Sequence, residues 1–120
     1  MDFVPDFEIA HVGVNCGDTE QAGSCAERFR ELFALERNPA KESADACFTG
    51  TQLEWLKGPG RGTHGHIALS TADLPAARAY LERKGFTFDD GSVKCFQDRR
   101  LMVIYAVQEI GGFAIHLMQR

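Results

Sequence analysis

Three histidines and one glutamate, His11, Glu54, His66 and His116, are the residues of this 120-residue chain best suited to chemistry. Each stands in a run that alternates with period two. His11 shares a face with Ile9, Gly13 and Asn15, against Ala10, Val12 and Val14. Glu54 shares one with Gln52 and Leu56, against Leu53 and Trp55. His66 opposes Ile67 and Leu69, and His116 lies with Ala114 and Met118 against Phe113, Ile115 and Leu117. Successive side chains of a strand point to opposite faces, so all four fall on the side away from the apolar one. A single strand histidine is more often a core or surface residue than a ligand; four metal-competent side chains on one face are a different matter. Three imidazoles and a carboxylate suit Zn, Ni, Co, Fe or Mn better than Mg or Ca, which prefer all-oxygen shells. Such an ion stabilises an enolate or enediolate and lowers the pKa of bound water. Glu54 is the first candidate for the base and His116 the second, with a purely ligating Glu54 as the alternative. Four protein ligands could also close a tetrahedral structural site.

Other polar residues stand close by in sequence. His64, two residues before His66, is expected on the same face, at the rim, in reach of substrate. Lys57 and Arg61 border the glycine-rich run Lys57-Gly58-Pro59-Gly60-Arg61-Gly62 and could receive a carboxylate or phosphate, or be solvated surface charge. Trp55 and Phe113 fall on the apolar side and read as core. Asp18 and Asp73 read as helix N-caps.

The elements that must position these residues repeat. The offset from His11 to His66 (66 − 11) equals that from Asp18 to Asp73 (73 − 18), which suggests a duplicated module. Asp18 to Leu35 carries Ala22, Cys25, Ala26, Phe29, Leu32 and Phe33 at helical spacing. A weak strand is expected within Glu36 to Asp45, then a hairpin of Ala46–Phe48 and Leu53–Leu56. After the glycine run, Asp73 starts a second helix with Pro75 in its first turn and Gly85 just beyond its end. Phe86–Phe88 and Ser92–Phe96 are expected to pair across a turn at Asp89-Asp90-Gly91, followed by strands Leu101–Val107 and Phe113–Met118. The expected fold is α+β: strand, helix and three strands, twice, in one domain spanning residues 1–120, with module one at about 7–57, a linker at 58–62 and module two at about 63–119. Each helix can cover only one sheet face.

Composition and charge argue against two classes of partner. The formal net charge is −4, and no Lys/Arg run exceeds the pair Arg99-Arg100, so nucleic acid has no electrostatic footprint. The start has no basic and apolar leader pattern, and nowhere do about 18 apolar residues run together, so no membrane partner and a cytoplasmic location are expected. Cys16, Cys25, Cys47 and Cys95 form no C-x-x-C pair and read as reduced thiols.

The phrases Gly65-His66-Ile67-Ala68-Leu69-Ser70, Leu53-Glu54-Trp55 and Ile115-His116-Leu117 resemble the vicinal oxygen chelate superfamily, which includes glyoxalase I, bleomycin resistance proteins, methylmalonyl-CoA epimerase and extradiol dioxygenases. The resemblance runs from about Phe7 to Gln119. It implies two βαβββ modules around a divalent ion with open coordination positions, held by His11 and Glu54 from the first module and His66 and His116 from the second. His116 departs from the pattern, since bacterial glyoxalase I usually has a glutamate there. The phrases Ala10-His11-Val12-Gly13-Val14-Asn15, Leu81-Glu82-Arg83-Lys84-Gly85 and Glu109-Ile110-Gly111-Gly112-Phe113-Ala114-Ile115-His116-Leu117 are also similar to the small C-terminal domain of some bacterial aldolases acting on 2-keto-3-deoxy-6-phosphogluconate and 4-hydroxy-2-oxoglutarate. These resemblances imply a metal-dependent lyase or isomerase acting on a small 2-oxoacid or hydroxycarbonyl, with a non-catalytic binding or resistance protein as the alternative and a dioxygenase as the third option. They also imply a homodimer, with the site either held within one chain or shared so that His11 and Glu54 of one subunit face His66 and His116 of its partner.

Overall fold

Period-two alternation with one apolar face per strand makes a sheet that is covered on one side. A computed structural model of the chain describes residues 4–120 and contains that sheet. Its elements are β1 (Glu8–Asn15), α1 (Thr19–Phe33), β2 (Ala46–Thr49), β3 (Leu53–Leu56), β4 (Gly65–Thr71), α2 (Leu74–Arg83), β5 (Phe88–Cys95), β6 (Leu101–Ile110) and β7 (Phe113–Gln119). The seven strands form one sheet in the order β2-β3-β1-β4-β7-β6-β5. β1 runs parallel to β3, β4 runs parallel to β7, and β1 and β4 meet antiparallel. The two halves are therefore related by an approximate two-fold axis between β1 and β4.

Both helices lie on the same side. The Asp18 carboxylate accepts the Gln21 N–H at 2.8 Å and caps α1, whose Ala22 and Ala26 are fully buried. Small residues at that contact let the helix approach Cys47 and Trp55 closely, with Phe29 and Val14 at the margin. The Trp55 indole N–H donates to Thr49 Oγ1 at 2.9 Å, so its polar tip is satisfied inside the core. Asp73 caps α2 by accepting the Ala76 N–H at 3.1 Å. Leu74 and Ala77 then bury the helix, Leu74 joining Phe88, Ile104, Ala106, Ile115 and Leu117 in the second core cluster. Trp55, Ile115 and Leu117 thus face the helices, as alternation requires, and their strand neighbours Glu54 and His116 face away.

Two local expectations are corrected. Between α1 and β2 there is no strand but a short 3₁₀ turn, Pro39–Lys41, and a single bridge from Arg37 to Thr49. Pro39 has no N–H to give a ladder, and the Asn38 side chain accepts the Ala40 N–H at 3.1 Å, which closes the turn instead. Asp89-Asp90-Gly91 is likewise not a hairpin tip: β5 runs straight through it and pairs with β6 across a register shift. The extra residues are absorbed by side chains. Asp89 Oδ1 accepts the Gly91 N–H at 2.9 Å, while the Ser92 hydroxyl donates to the Asp89 carbonyl and accepts the Tyr105 N–H. The true connection is Phe96–Arg100, where the Phe96 N–H reaches the Arg100 carbonyl and Arg99 takes a left-handed conformation.

No helix among the described residues is long and apolar enough to cross a membrane. Burial pushes the Cys16 thiol up to about 12 and raises that of Cys47, so neither offers a ready thiolate. Because Leu74 anchors α2 with no exposed surface, Leu74→Ala is expected to cost about 2–5 kcal/mol of stability in urea unfolding. Val107→Ala, at a position 63% exposed, should change it by less than about 0.5 kcal/mol.

Candidate metal centre

The strand registers place large and small residues in a checkerboard on the uncovered face. One lateral row runs Glu54, Gly13, His66, Ala114; the next runs His11, Ala68, His116, Tyr105. Each large donor thus has a glycine or alanine beside it, and the imidazoles can lean together over the small residues. Gly13 shows the need most sharply. A Cβ built there would stand 2.1 Å from His66 Cε1, so any larger residue would displace that imidazole.

The result is convergence within one chain. His11 Nε2 lies 3.2 Å from His66 Nε2, and Glu54 Oε1 lies 3.0 Å from His66 Nε2 and 3.6 Å from His11 Nε2. His116 completes the cluster: ligand atoms of His11, His66 and His116 lie within 4.8 Å of one another. Donors that share one ion at about 2.0–2.2 Å stand about 3.0–3.4 Å apart; the His11–His66 and Glu54–His66 edges fall in that range, and the Glu54–His11 edge is 3.6 Å. Both ring nitrogens of the buried His116 lack any hydrogen-bond partner, as does the side-chain oxygen of Asn15. A buried imidazole with two orphaned nitrogens is costly unless something else takes a lone pair. The residues therefore fit a divalent ion. β1 and β4 pair within the chain, so the four donors converge in a single subunit.

Protonation follows from burial and from the mutual field of the cluster. Burial, with the neighbouring imidazoles His66 and His11, lowers His116 to about 4. His11 is also lowered, chiefly by burial, with Glu54 opposing. For Glu54, burial pushes the carboxyl up, but the hydrogen bond to His66 and the electrostatic field of the surrounding histidines outweigh it and hold the group below its ordinary value. Near neutrality His11 and His116 are uncharged and Glu54 is ionised, the state a cation site requires.

The cluster forms the floor of a cavity of about 280 Å³, lined further by Leu56, Gly60, Arg61, Lys94 and Tyr105. The Tyr105 ring lies 4.6 Å from the His116 ring, and the Arg61 guanidinium stands over Tyr105, 4.7 Å from its centroid. The glycine run that carries Arg61 is no free tether. The Asn15 side-chain amide donates to the Gly62 carbonyl at 3.0 Å and reaches the Gly60 carbonyl at 3.5 Å. Lys57 and His64, by contrast, are not part of the lining. Lys57 Nζ is held by Glu42 at 2.6 Å and by the Ser43 carbonyl at 2.7 Å. His64 is exposed, with its ring against Gly112 and 6.0 Å from that of Phe113, because Gly65 takes φ 146° and breaks the alternation that would have put residues 64 and 66 on one face. Tyr105 and Lys94 also line the cavity and lie outside the sequence pattern that marks the four donors. Tyr105 was legible as the one polar-tipped side chain in the apolar run of β6, whereas Lys94 is brought in only by the shifted β5 register.

The fold is glyoxalase-like. Solved structures sharing it include methylmalonyl-CoA epimerase from Mycobacterium tuberculosis, 14% identical with a TM-score of 0.61 over 92% of this chain and 86% of that one. A variant of the Streptomyces coelicolor methylmalonyl-CoA epimerase in complex with 2-nitronate-propionyl-CoA is 18% identical, with a TM-score of 0.58 over 93% of each chain. A hypothetical protein from Bacillus halodurans is 11% identical, with a TM-score of 0.62 over 96% and 95%. Methylmalonyl-CoA epimerase is a member of the vicinal oxygen chelate superfamily, so the structural neighbours fall in the group that the sequence resembles. No family model and no curated protein matches the sequence. The similarity to the aldolase-linked domain gains no support from these structures.

Two outcomes follow from this geometry. Gly13→Ala should keep the fold, read as an unchanged far-ultraviolet spectrum, yet lower divalent-metal affinity at least about 10-fold by tilting His66 away. In metal-free protein, an unfolded chain takes up a proton on residue 116 near pH 6.5 while the folded chain resists until about 4. Stability should therefore fall as pH drops through that window, by up to about 3 kcal/mol, and the urea midpoint of His116→Gln should show a correspondingly shallower pH slope.

Proposed function

We propose that the chain is a metal-dependent isomerase or lyase that moves a proton at the carbon beside a carbonyl of a small carboxylic acid or hydroxycarbonyl. The observation that carries this reading is the convergence of three imidazoles and one carboxylate at the base of an open cavity, with both nitrogens of the buried His116 unpartnered. His11, His66 and His116 would hold the ion, with Glu54 beside them. When bound, a divalent ion supplies Lewis acidity to two neighbouring substrate oxygens and so acidifies the adjoining C–H.

The remaining work falls to the chain. Glu54 is ionised and one edge of the cluster away from His11 and His66, so it can take the proton from the substrate carbon and return it to the carbon or to an oxygen. Its lowered pKa makes it a modest base, which suits a substrate whose acidity has been raised for it. His116, neutral down to about pH 4, is better suited to ligation than to proton transfer near neutrality. Tyr105 walls the cavity beside His116, and Arg61 above it is placed to meet a negative group of the substrate.

The structural neighbours support the isomerase half of this reading, being methylmalonyl-CoA epimerases, one of them in complex with methylmalonyl-CoA. A thioester acid of that kind and a 2-oxoacid share a carboxylate and a second carbonyl oxygen for chelation. A cavity of about 280 Å³ lies at the small end for ligand pockets and would take only the acyl end of a larger molecule.

The test combines metal analysis with exchange of the substrate proton. Purified wild-type protein should hold about one divalent ion per chain, and His11→Ala and His66→Ala should lose most of it; wild-type metal content in both variants would remove the site. In D2O, candidate 2-oxoacids and hydroxycarbonyls should exchange the C–H beside the carbonyl, and Glu54→Gln should slow exchange by about 10²-fold or more. Tight binding of such a molecule to metal-loaded protein without any exchange would instead favour a capture protein.

A further inference from the structure

Charge on the cavity wall narrows the substrate class. Arg61 and Lys94 both line the cavity whose floor is the His11, His66 and His116 cluster. Arg61 is oriented twice over: its face lies on the Tyr105 ring at 4.7 Å, and its Nη2 donates to Asp89 Oδ2 at 2.9 Å. Its backbone is fixed by the Asn15 side chain, which holds the carbonyls on either side. A guanidinium has five N–H donors, so those two restraints leave donors for a ligand. Lys94 approaches from β5 and forms no ion pair with a carboxylate among the described residues, although Arg61, Lys57 and Arg78 all do.

The local charges can be counted. A divalent ion beside ionised Glu54 leaves one net positive charge on the floor, the Arg61–Asp89 pair is neutral, and Lys94 adds a second positive charge at the wall. A substrate that chelates the floor through one carboxylate neutralises only the first. We propose that Arg61 and Lys94 form a second anion subsite, and that the chain acts on small dicarboxylates, with the reacting carbonyl end on the metal and a distal carboxylate between Arg61 and Lys94.

The spacing limits length as well as charge. His116 and Tyr105 stand 4.6 Å apart and Tyr105 and Arg61 4.7 Å apart, so the guanidinium lies within about 9 Å of the imidazole. A four- or five-carbon chain spans about 4–5 Å between its end carbons, and a metal contact of about 2 Å at one end with a hydrogen bond of about 3 Å at the other carries it across that gap. The proposal rests on the metal-site reading above and gives it a substrate class; Lys94 and Arg61 set specificity and do not touch the reacting carbon.

Two five-carbon acids that differ only at the far end make the test. Protein loaded with Co²⁺ is titrated with 2-oxoglutarate and with 2-oxopentanoate, following the cobalt visible spectrum and the binding heat. Wild type is expected to bind 2-oxoglutarate at least about 10-fold more tightly, the size of one charge-assisted contact. Lys94→Gln and Arg61→Gln should each cut that preference to about 3-fold or less, with cobalt content and 2-oxopentanoate affinity unchanged. Equal affinities in wild type, an undiminished preference in both variants, or no response to either acid with cobalt in place would each overturn the dicarboxylate subsite while leaving the metal site standing. Failure of wild type to retain cobalt would overturn both.

Discussion

The antiparallel pairing of β1 with β4 is the constraint on which the rest of the site depends. It joins the two halves of the sheet and sets the register in which Gly13 faces His66 and Ala68 faces His11. Each half then adds its parallel neighbour, β3 or β7, which brings in Glu54 or His116. The four donors occupy the four central strands of seven, astride the seam. Moving that register by one residue would send His11 to the helix side and the apolar partners to solvent, so the core and the site specify the same pairing.

The core supports this from behind without entering the chemistry. Trp55, Ile115 and Leu117 anchor β3 and β7 to the helices, and each is next in sequence to a donor. Because a packed side chain fixes its backbone and alternation fixes the next side chain, rigidity on the covered face is passed directly to the open one. Small residues have two distinct uses here. Ala22 and Ala26 bring α1 close to the sheet, whereas Gly13 and Ala68 make room for rings to converge.

Much of this was legible in the sequence because alternation is local. The faces of His11, Glu54, His66 and His116, the caps at Asp18 and Asp73 and the apolar stripes of both helices each need only a few consecutive residues to read. What failed needed information that no short window holds. Lys57 borders the glycine-rich run in sequence, but Glu42, fifteen residues away, holds its ammonium. His64 was placed by extending a strand through Gly65, whose positive φ resets the pattern. Asp89-Asp90-Gly91 has the composition of a hairpin turn, yet the long β6 and the Ser92 side chain keep it extended. Lys94 enters the cavity through that same irregularity, and the role of Gly13 appears only when the ring across the strand is seen.

The seam also gives the cavity a thermodynamic character of its own. Its imidazoles come from residues 11, 66 and 116, so an ion held by all three would close nearly the whole chain on itself and tie one half of the sheet to the other. Its binding free energy then adds to the free energy of folding, in proportion to the logarithm of free metal over the dissociation constant. Occupancy of such a site and stability of the fold would then be linked, each favouring the other.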